Sequence, residues 1–183
     1  RELVWASHDN SSNANNDMLV ASSALITMDQ WQHIAVTKNG TEIKMYLNGV
    51  LIHTESIAAT TITYNEGTNL RLGTRTASCS AYFPSSFNGR IDEVRIWNDV
   101  RTAAEIADNM EIALAGDESN LVAYYKMSDG SGTTLTDNSS NSNNGTLTNM
   151  VTSGGSSDWV IPYAPIANMN SSYKTDVEAV WQN

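Results

Sequence analysis

The stretch FNGRIDEVRIWNDVRTAAEI, Phe87 to Ile106, decides the fold class, because it reads in one pass as a turn, a strand and the opening of a helix. Alternation along RIDEVRIWN puts Ile91, Glu93, Arg95 and Trp97 on one face and Asp92, Val94 and Ile96 on the other. That pattern predicts Asp92 on the core side and Glu93 toward solvent or a neighbouring strand, near Arg95, where an ion pair adds little. A buried carboxylate is costly alone, so Asp92 needs hydrogen bonds or a cation. Two acids on opposite faces of one strand cannot flank a single glycosidic bond, which argues against hydrolysis. Beyond the strand, Thr102 and Glu105 stand in capping-box relation ahead of Ala and Ile residues, predicting one short surface helix with Ile106 turned inward.

Upstream, WQHIAVTK and EIKMYLNG alternate apolar and polar residues around Asn39-Gly40, a two-residue hairpin signal. Asn48-Gly49 turns the chain again into VLIHTES, giving three antiparallel strands. ELVWAS, NLRLGTR, LVAYYKM and NGTLTN supply further short strands bounded by Gly, Asn, Ser or Thr. The expected fold is all-β: a two-sheet antiparallel β-sandwich, a jelly roll, with one short helix.

The motifs accumulate in order. Trp31 and His33, then Tyr46 with Asn48 and Gly49, then LRLGT ending near Gly73, then Gly89 to Ile96, resemble the laminin-G-like/pentraxin branch of the concanavalin A-like lectin/glucanase superfamily. The resemblance runs closely over residues 31–110, and the later LVAYYKMSDGSGTTLTDNSSNSNNGTL looks like a segment that flanks such domains in bacterial surface proteins. It implies two stacked antiparallel sheets that bind sugars, other glycans or protein partners, often with calcium. Nothing before Trp31 resembles the family's opening strands beyond ELVWAS. The expected organisation is therefore a sandwich over residues 1–161 lacking its usual N-terminal strands, then a linker and terminal strand over 162–183. Missing strands leave sheet edges that something must cover: LVAYYKM, DVEAVWQN, another chain or a detached N-terminal segment.

In related jelly rolls a matching acid on the last strand ligates calcium, which makes Asp92 the leading metal candidate beside the alternative of a hydrogen-bonded structural acid. Calcium takes about six to eight oxygens, so other ligands must join it. The polar loops offer Asp9 and Asp17 in one segment and Asp129 and Asp137 in another, although neither loop has the spacing of a calcium-binding hand and both also suit a simple solvated turn. For a sugar, which stacks its C–H face on an aromatic ring and offers hydroxyls to amides, the candidates are Trp5, Tyr64 and Tyr82 with Asn10 and Asn138; Trp31, Trp97 and Tyr46 are placed inside.

The totals bound the remaining choices. Ten basic against 20 acidic residues give a net charge of −10, which disfavours nucleic acid and anionic membrane surfaces by repulsion. One cysteine, Cys79, excludes an internal disulfide and multi-cysteine metal frameworks. No run of about 18 apolar residues occurs, so no membrane insertion is expected. SDGSGTT lacks the lysine of a phosphate loop. His8, His33 and His53 have no assignable catalytic partner, so no catalytic residue is named. The Asn- and Ser-rich, Lys-poor composition and the absence of an initiating Met suit a processed piece of a bacterial secreted or cell-surface protein. The leading expectation is a non-catalytic carbohydrate-binding or adhesion module whose partner is a glycan or a cell-surface protein, with Ca2+ as cofactor. The alternatives are an assembly module that pairs with another chain by strand addition and, last, part of a secreted glycoside hydrolase.

Overall fold

A computed structural model describes residues 2–8, 17–57, 70–74, 87–155, 157–160 and 178–180. The chain divides into two compact units, one formed by 1–68 with 100–111 and the other by 69–99 with 112–183. Among the described residues no helix is long and apolar enough to cross a membrane.

In the first unit, β1 (Glu2–His8) pairs antiparallel with β2 (Asp17–Leu25), and β3 (Ile34–Asn39), β4 (Glu42–Leu47) and β5 (Val50–Ser56) form an antiparallel sheet in that order. β2 also lies against β5. The three central strands are those the alternation predicts; β2 was not anticipated. Its sequence, DMLVASSAL, carries two Ser and two Ala, which dilute the period-two signal.

Turn chemistry explains the hairpins, with one shift of register. Asn39 pairs with Glu42, so Gly40-Thr41 is the two-residue turn rather than Asn39-Gly40, and only Gly40 takes positive φ there (+56°), as a type II′ turn requires at its first central position. Asn48-Gly49 turns as expected, with φ +50° and +76°, the pattern of a type I′ turn. Gly49 is needed twice over, since a Cβ there would also lie 3.2 Å from Ala107 and 3.1 Å from the Met110 sulfur. These neighbours belong to or follow α1 (Ala103–Asn109), which packs on the hairpin. α1 opens with the full reciprocal box: the Thr102 side chain accepts from Glu105 N while the Glu105 carboxylate accepts from Thr102 N and Oγ1. Ile106 is its buried residue. The unit's core is Ile43, Met45 and Ile57, with Leu3, Val36 and Ile52 packed on it.

The second unit uses shorter pieces: β6 (Arg90–Ile91), β7 (Val94–Trp97), β8 (Leu121–Tyr125), β9 (Thr134–Leu135), β10 (Gly145–Thr146), β11 (Trp159–Val160) and β12 (Glu178–Val180). β7 pairs with β8, β9 with β10, and β12 lies between β11 and β6, all antiparallel. In NLRLGTR the described Leu70–Thr74 forms no continuous strand: it bends at Leu72–Gly73 and makes a single β-bridge at Thr74, and the Gly73 carbonyl accepts from Phe87 N at 2.7 Å. The core gathers Ala123, Tyr125, Met127, Leu135, Leu147 and Trp159, joined by Ile91, Val94 and Ile96. A second cluster holds Leu114, Leu121 and Tyr124 against Trp97.

Candidate functional site

The acid pair that raised the question of catalysis sits in a break, not in a continuous strand. β6 ends at Ile91 and β7 starts at Val94; between them Glu93 adopts φ +53°, and its N–H donates to the Asp92 carboxylate at 2.9 Å. Left-handed backbone at a non-glycine residue costs energy and persists where surrounding contacts fix it. The break resets the alternation, so Ile91, Val94 and Ile96 all reach one core cluster although strict period two separates Ile91 from the other pair. Of the two settings expected for Glu93, the structure shows the neighbouring strand and Arg95, and not solvent. The Glu93 side chain is 8% exposed, and that of Arg95 is 11% exposed.

Burial of these charges is balanced locally. One Glu93 oxygen accepts from Arg95 Nη2 at 2.9 Å and from the Tyr124 hydroxyl at 2.6 Å. The same Arg95 nitrogen donates to the Ile112 carbonyl, and the Tyr124 oxygen accepts from Leu114 N at 3.2 Å. The Arg95 and Lys126 cations lie 5.6 and 5.3 Å from the centre of the Tyr124 ring, within cation–π range. Burial first, then the Glu93 charge, drive the Tyr124 pKa far above the ordinary phenol range. Tyr124 is therefore a permanent hydrogen-bond donor at physiological pH. The group acts as a strut binding β7, β8 and the 112–114 segment, with its second Glu93 oxygen buried and without a hydrogen-bond partner among the described residues. The Glu93 carboxylate is thus engaged by a guanidinium and a phenol, which ties it into the packing of this unit.

A second acid organises the segment expected to be a solvated loop. Asp137, 6% exposed, accepts at one oxygen from Tyr124 N and Ser139 N (both 2.8 Å) and at the other from Asn143 N (2.7 Å) and the Ser139 hydroxyl (2.9 Å). Burial alone would raise its pKa, but these four donors outweigh it and hold the carboxyl below the usual range. The neighbouring backbone N–H of Asn138 donates to the Tyr124 carbonyl at 2.7 Å. Tyr124 thus meets at its outer edge an acceptor and a donor, as it would beside another strand. Asn141 and Asn143 extend the cover by donating their amides to the carbonyls of Leu121 and Val122. The Asn-rich loop covers the edge of β8 with backbone and amide hydrogen bonds in place of a strand.

The remaining candidates are dispersed. Asp129 accepts from Thr136 N and its hydroxyl. Asn138 is half-buried and contributes its backbone N–H to the edge. Trp5 and Asp17 lie in β1 and β2 by backbone, while Asp9, Asn10, Tyr64, Tyr82 and Cys79 lie outside the described residues. Tyr46 is 3% exposed, as expected for the interior, and Trp97 packs on a core cluster. His33 clamps a hairpin, its N–H donating to Asn48 Oδ1 and its carbonyl accepting from Asn48 N. Of the metal candidates, Asp137 has its acceptor positions filled by four donors, Asp129 is engaged by Thr136, Asp92 accepts from Glu93 N, and the described residues hold no group of three acids, His or Cys suited to a metal.

One surface residue escaped the sequence reading. Phe87 is 50% exposed, and its ring lies so close to Gly89 that a Cβ there would be 2.7 Å from Cζ. The glycine lets the ring rest on the backbone, with the exposed Asn88 between them in sequence. The signal available in the sequence was Phe-x-Gly at a turn, which is weak by itself.

Comparison with known proteins adds three findings. The family model Laminin_G_3, described as the concanavalin A-like lectin/glucanases superfamily, matches residues 2–107, more than half of the chain. No curated protein matches the chain. Among solved structures, a protein from Bacteroides ovatus proposed to bind carbohydrate superposes with a TM-score of 0.58 at 22% identity, over 70% of this chain and 37% of its own. An S-layer domain-containing protein of Clostridium thermocellum gives a TM-score of 0.42 at 24% identity, over 58% of this chain and 50% of its own. The chain thus spans half or less of the length of either neighbour.

Proposed function

Because the chain belongs to the concanavalin A-like lectin/glucanase superfamily, whose fold is a β-sandwich jelly roll, we propose that it is a non-catalytic carbohydrate-binding module of a larger secreted or cell-surface bacterial protein. The family match over residues 2–107 is the observation that carries this reading. The Bacteroides ovatus neighbour, itself proposed to bind carbohydrate, is compatible with it. Adhesion follows as the role if the glycan sits on another cell.

Among the described residues, the half-exposed Phe87 braced on Gly89 is the surface best suited to stack against a pyranose, with the exposed Asn88 next to it in sequence as a source of hydrogen bonds to hydroxyls. The net charge of −10 favours neutral or cationic glycans over acidic ones. The assembly alternative has less to stand on, since β12 of the same chain lies between β6 and β11 and the Asn-rich loop covers β8. A glycan array run with calcium and with chelator tests the proposal. Binding to a neutral polysaccharide that falls at least several-fold in Phe87→Ala supports it, and chelation reports whether Ca2+ takes part. A blank array in both conditions removes the carbohydrate reading, and turnover of any polysaccharide removes the non-catalytic one.

A further inference from the structure

The sequence contains four Asn-Gly pairs, at 39–40, 48–49, 88–89 and 144–145. Each has the same local chemistry. The Gly nitrogen, after loss of its proton, can bond to the Asn Cγ, the bond from Cγ to the side-chain nitrogen breaks, and ammonia leaves. Water then opens the five-membered imide at one carbonyl or the other, giving Asp or isoaspartate. Glycine permits this because no Cβ shields its nitrogen or restricts its backbone.

The fold treats the four pairs differently. Asn48 is held at two points, its Oδ1 accepting from His33 N at 2.9 Å and its own N–H donating to the His33 carbonyl at 2.8 Å. Asn144 Oδ1 accepts from Asp137 N at 2.9 Å, and Gly145 is paired in β10 with Leu135. In both, the carbonyl that must swing toward the glycine nitrogen is engaged elsewhere. Asn39 ends β3 opposite Glu42, so its backbone is held in the strand ladder. All four asparagines are exposed, so exposure does not separate them. Asn88 differs from Asn48 and Asn144 in having no side-chain hydrogen bond among the described residues, and from Asn39 in lying outside any strand or helix.

We infer that Asn88 is a site of spontaneous deamidation in the folded protein, the other three Asn-Gly pairs being protected by the fold. Conversion adds a carboxylate, and the isoaspartate product adds one backbone atom between Phe87 and Arg90 at the start of β6. The inference stands whether or not the protein binds sugar.

The test is incubation of the native protein at mildly alkaline pH, followed by proteolysis and mass spectrometry that locates Asp and isoaspartate at each pair, with a parallel sample in concentrated urea. Asn88 is expected to convert several-fold faster than Asn39 and faster still than Asn48 and Asn144 when native, and the four rates are expected to converge in urea. Asn88→Gln should remove the leading product while leaving the circular dichroism spectrum unchanged. The inference is overturned if native Asn88 is no faster than Asn48 and Asn144, if Asn39 leads, or if the same ranking persists in urea, since local sequence and not the fold would then set it.

Discussion

The sheet β3–β4–β5 and the edge of β8 solve one problem by different means. In the first, strands of six or seven residues satisfy each other's backbone through ladders joined by two-residue turns, and the core beneath is aliphatic and sulfur-bearing: Ile43, Met45 and Ile57. In the second, strands of two to five residues are too short for such closure, and buried acids do the joining: Glu93 through Arg95 and Tyr124, Asp137 through three backbone N–H groups and a hydroxyl. The difference teaches that the second region is joined through buried charge, whereas the first is joined through ladders and apolar volume.

The largest expected effect probes the strut. Arg95→Ala strands the Glu93 carboxylate in a buried setting and should cost about 3–5 kcal/mol in urea unfolding. Replacing both members with apolar residues, Glu93→Leu with Arg95→Met, should recover part of that loss, because the desolvation penalty goes with the charge while the Ile112 carbonyl and the Tyr124 hydroxyl lose their partners. If the double variant is no more stable than Arg95→Ala, the pair does more than balance its own burial.

Next comes Asp137→Ala, which leaves three backbone donors unmet and should cost about 3 kcal/mol. Its pH dependence has a definite sign. The folded-state pKa of Asp137 is lowered, so its contribution is present above the unfolded carboxylate value of about 3.9 and fades as pH falls through the folded value. The stability gap between the parent protein and Asp137→Asn should therefore narrow on acidification below about pH 4. A gap that is constant from neutral pH to acid would mean that the carboxylate charge is not what the loop uses.

Smaller effects belong to the first region. Ile43→Val should cost about 1 kcal/mol by thermal unfolding, and the cost should not change between neutral and acidic pH, in contrast to Asp137. Thr102→Ala removes the cap of α1 and should lose roughly 0.5–1 kcal/mol, read most directly as faster amide exchange in the first helical turn. A larger cap effect would show that α1 is more strongly coupled to the hairpin through Gly49 and Ala107 than a surface helix need be.

These two regions also differ in how much of them could be read from the chain. The β3–β4–β5 meander, the Asn48-Gly49 turn and the Thr102–Glu105 box were legible because each rests on residues a few positions apart. The one-residue error at Asn39-Gly40 came from the same local pattern, since Gly40-Thr41 satisfies the turn as well as Asn-Gly does. Strict alternation separated Ile91 from Val94 and Ile96, which share one core cluster, because a left-handed residue between β6 and β7 changes which face follows, and nothing in RIDEVRIWN marks that break. The Asn- and Ser-rich segment read as solvated for a related reason: its amides find partners only when β8 runs beside it.

By itself, then, the sequence determined an antiparallel strand framework with one capped helix, the acidic net charge and the family resemblance. Tertiary structure decided which acid is buried, what closes the β8 edge, and which Asn-Gly pairs are protected. The physical reason is separation along the chain. Turns and caps are settled within four residues, whereas Glu93 meets Tyr124 across 31 residues and Asp137 meets Tyr124 across 13, and the burial that makes those contacts matter exists only after the chain has folded back on itself.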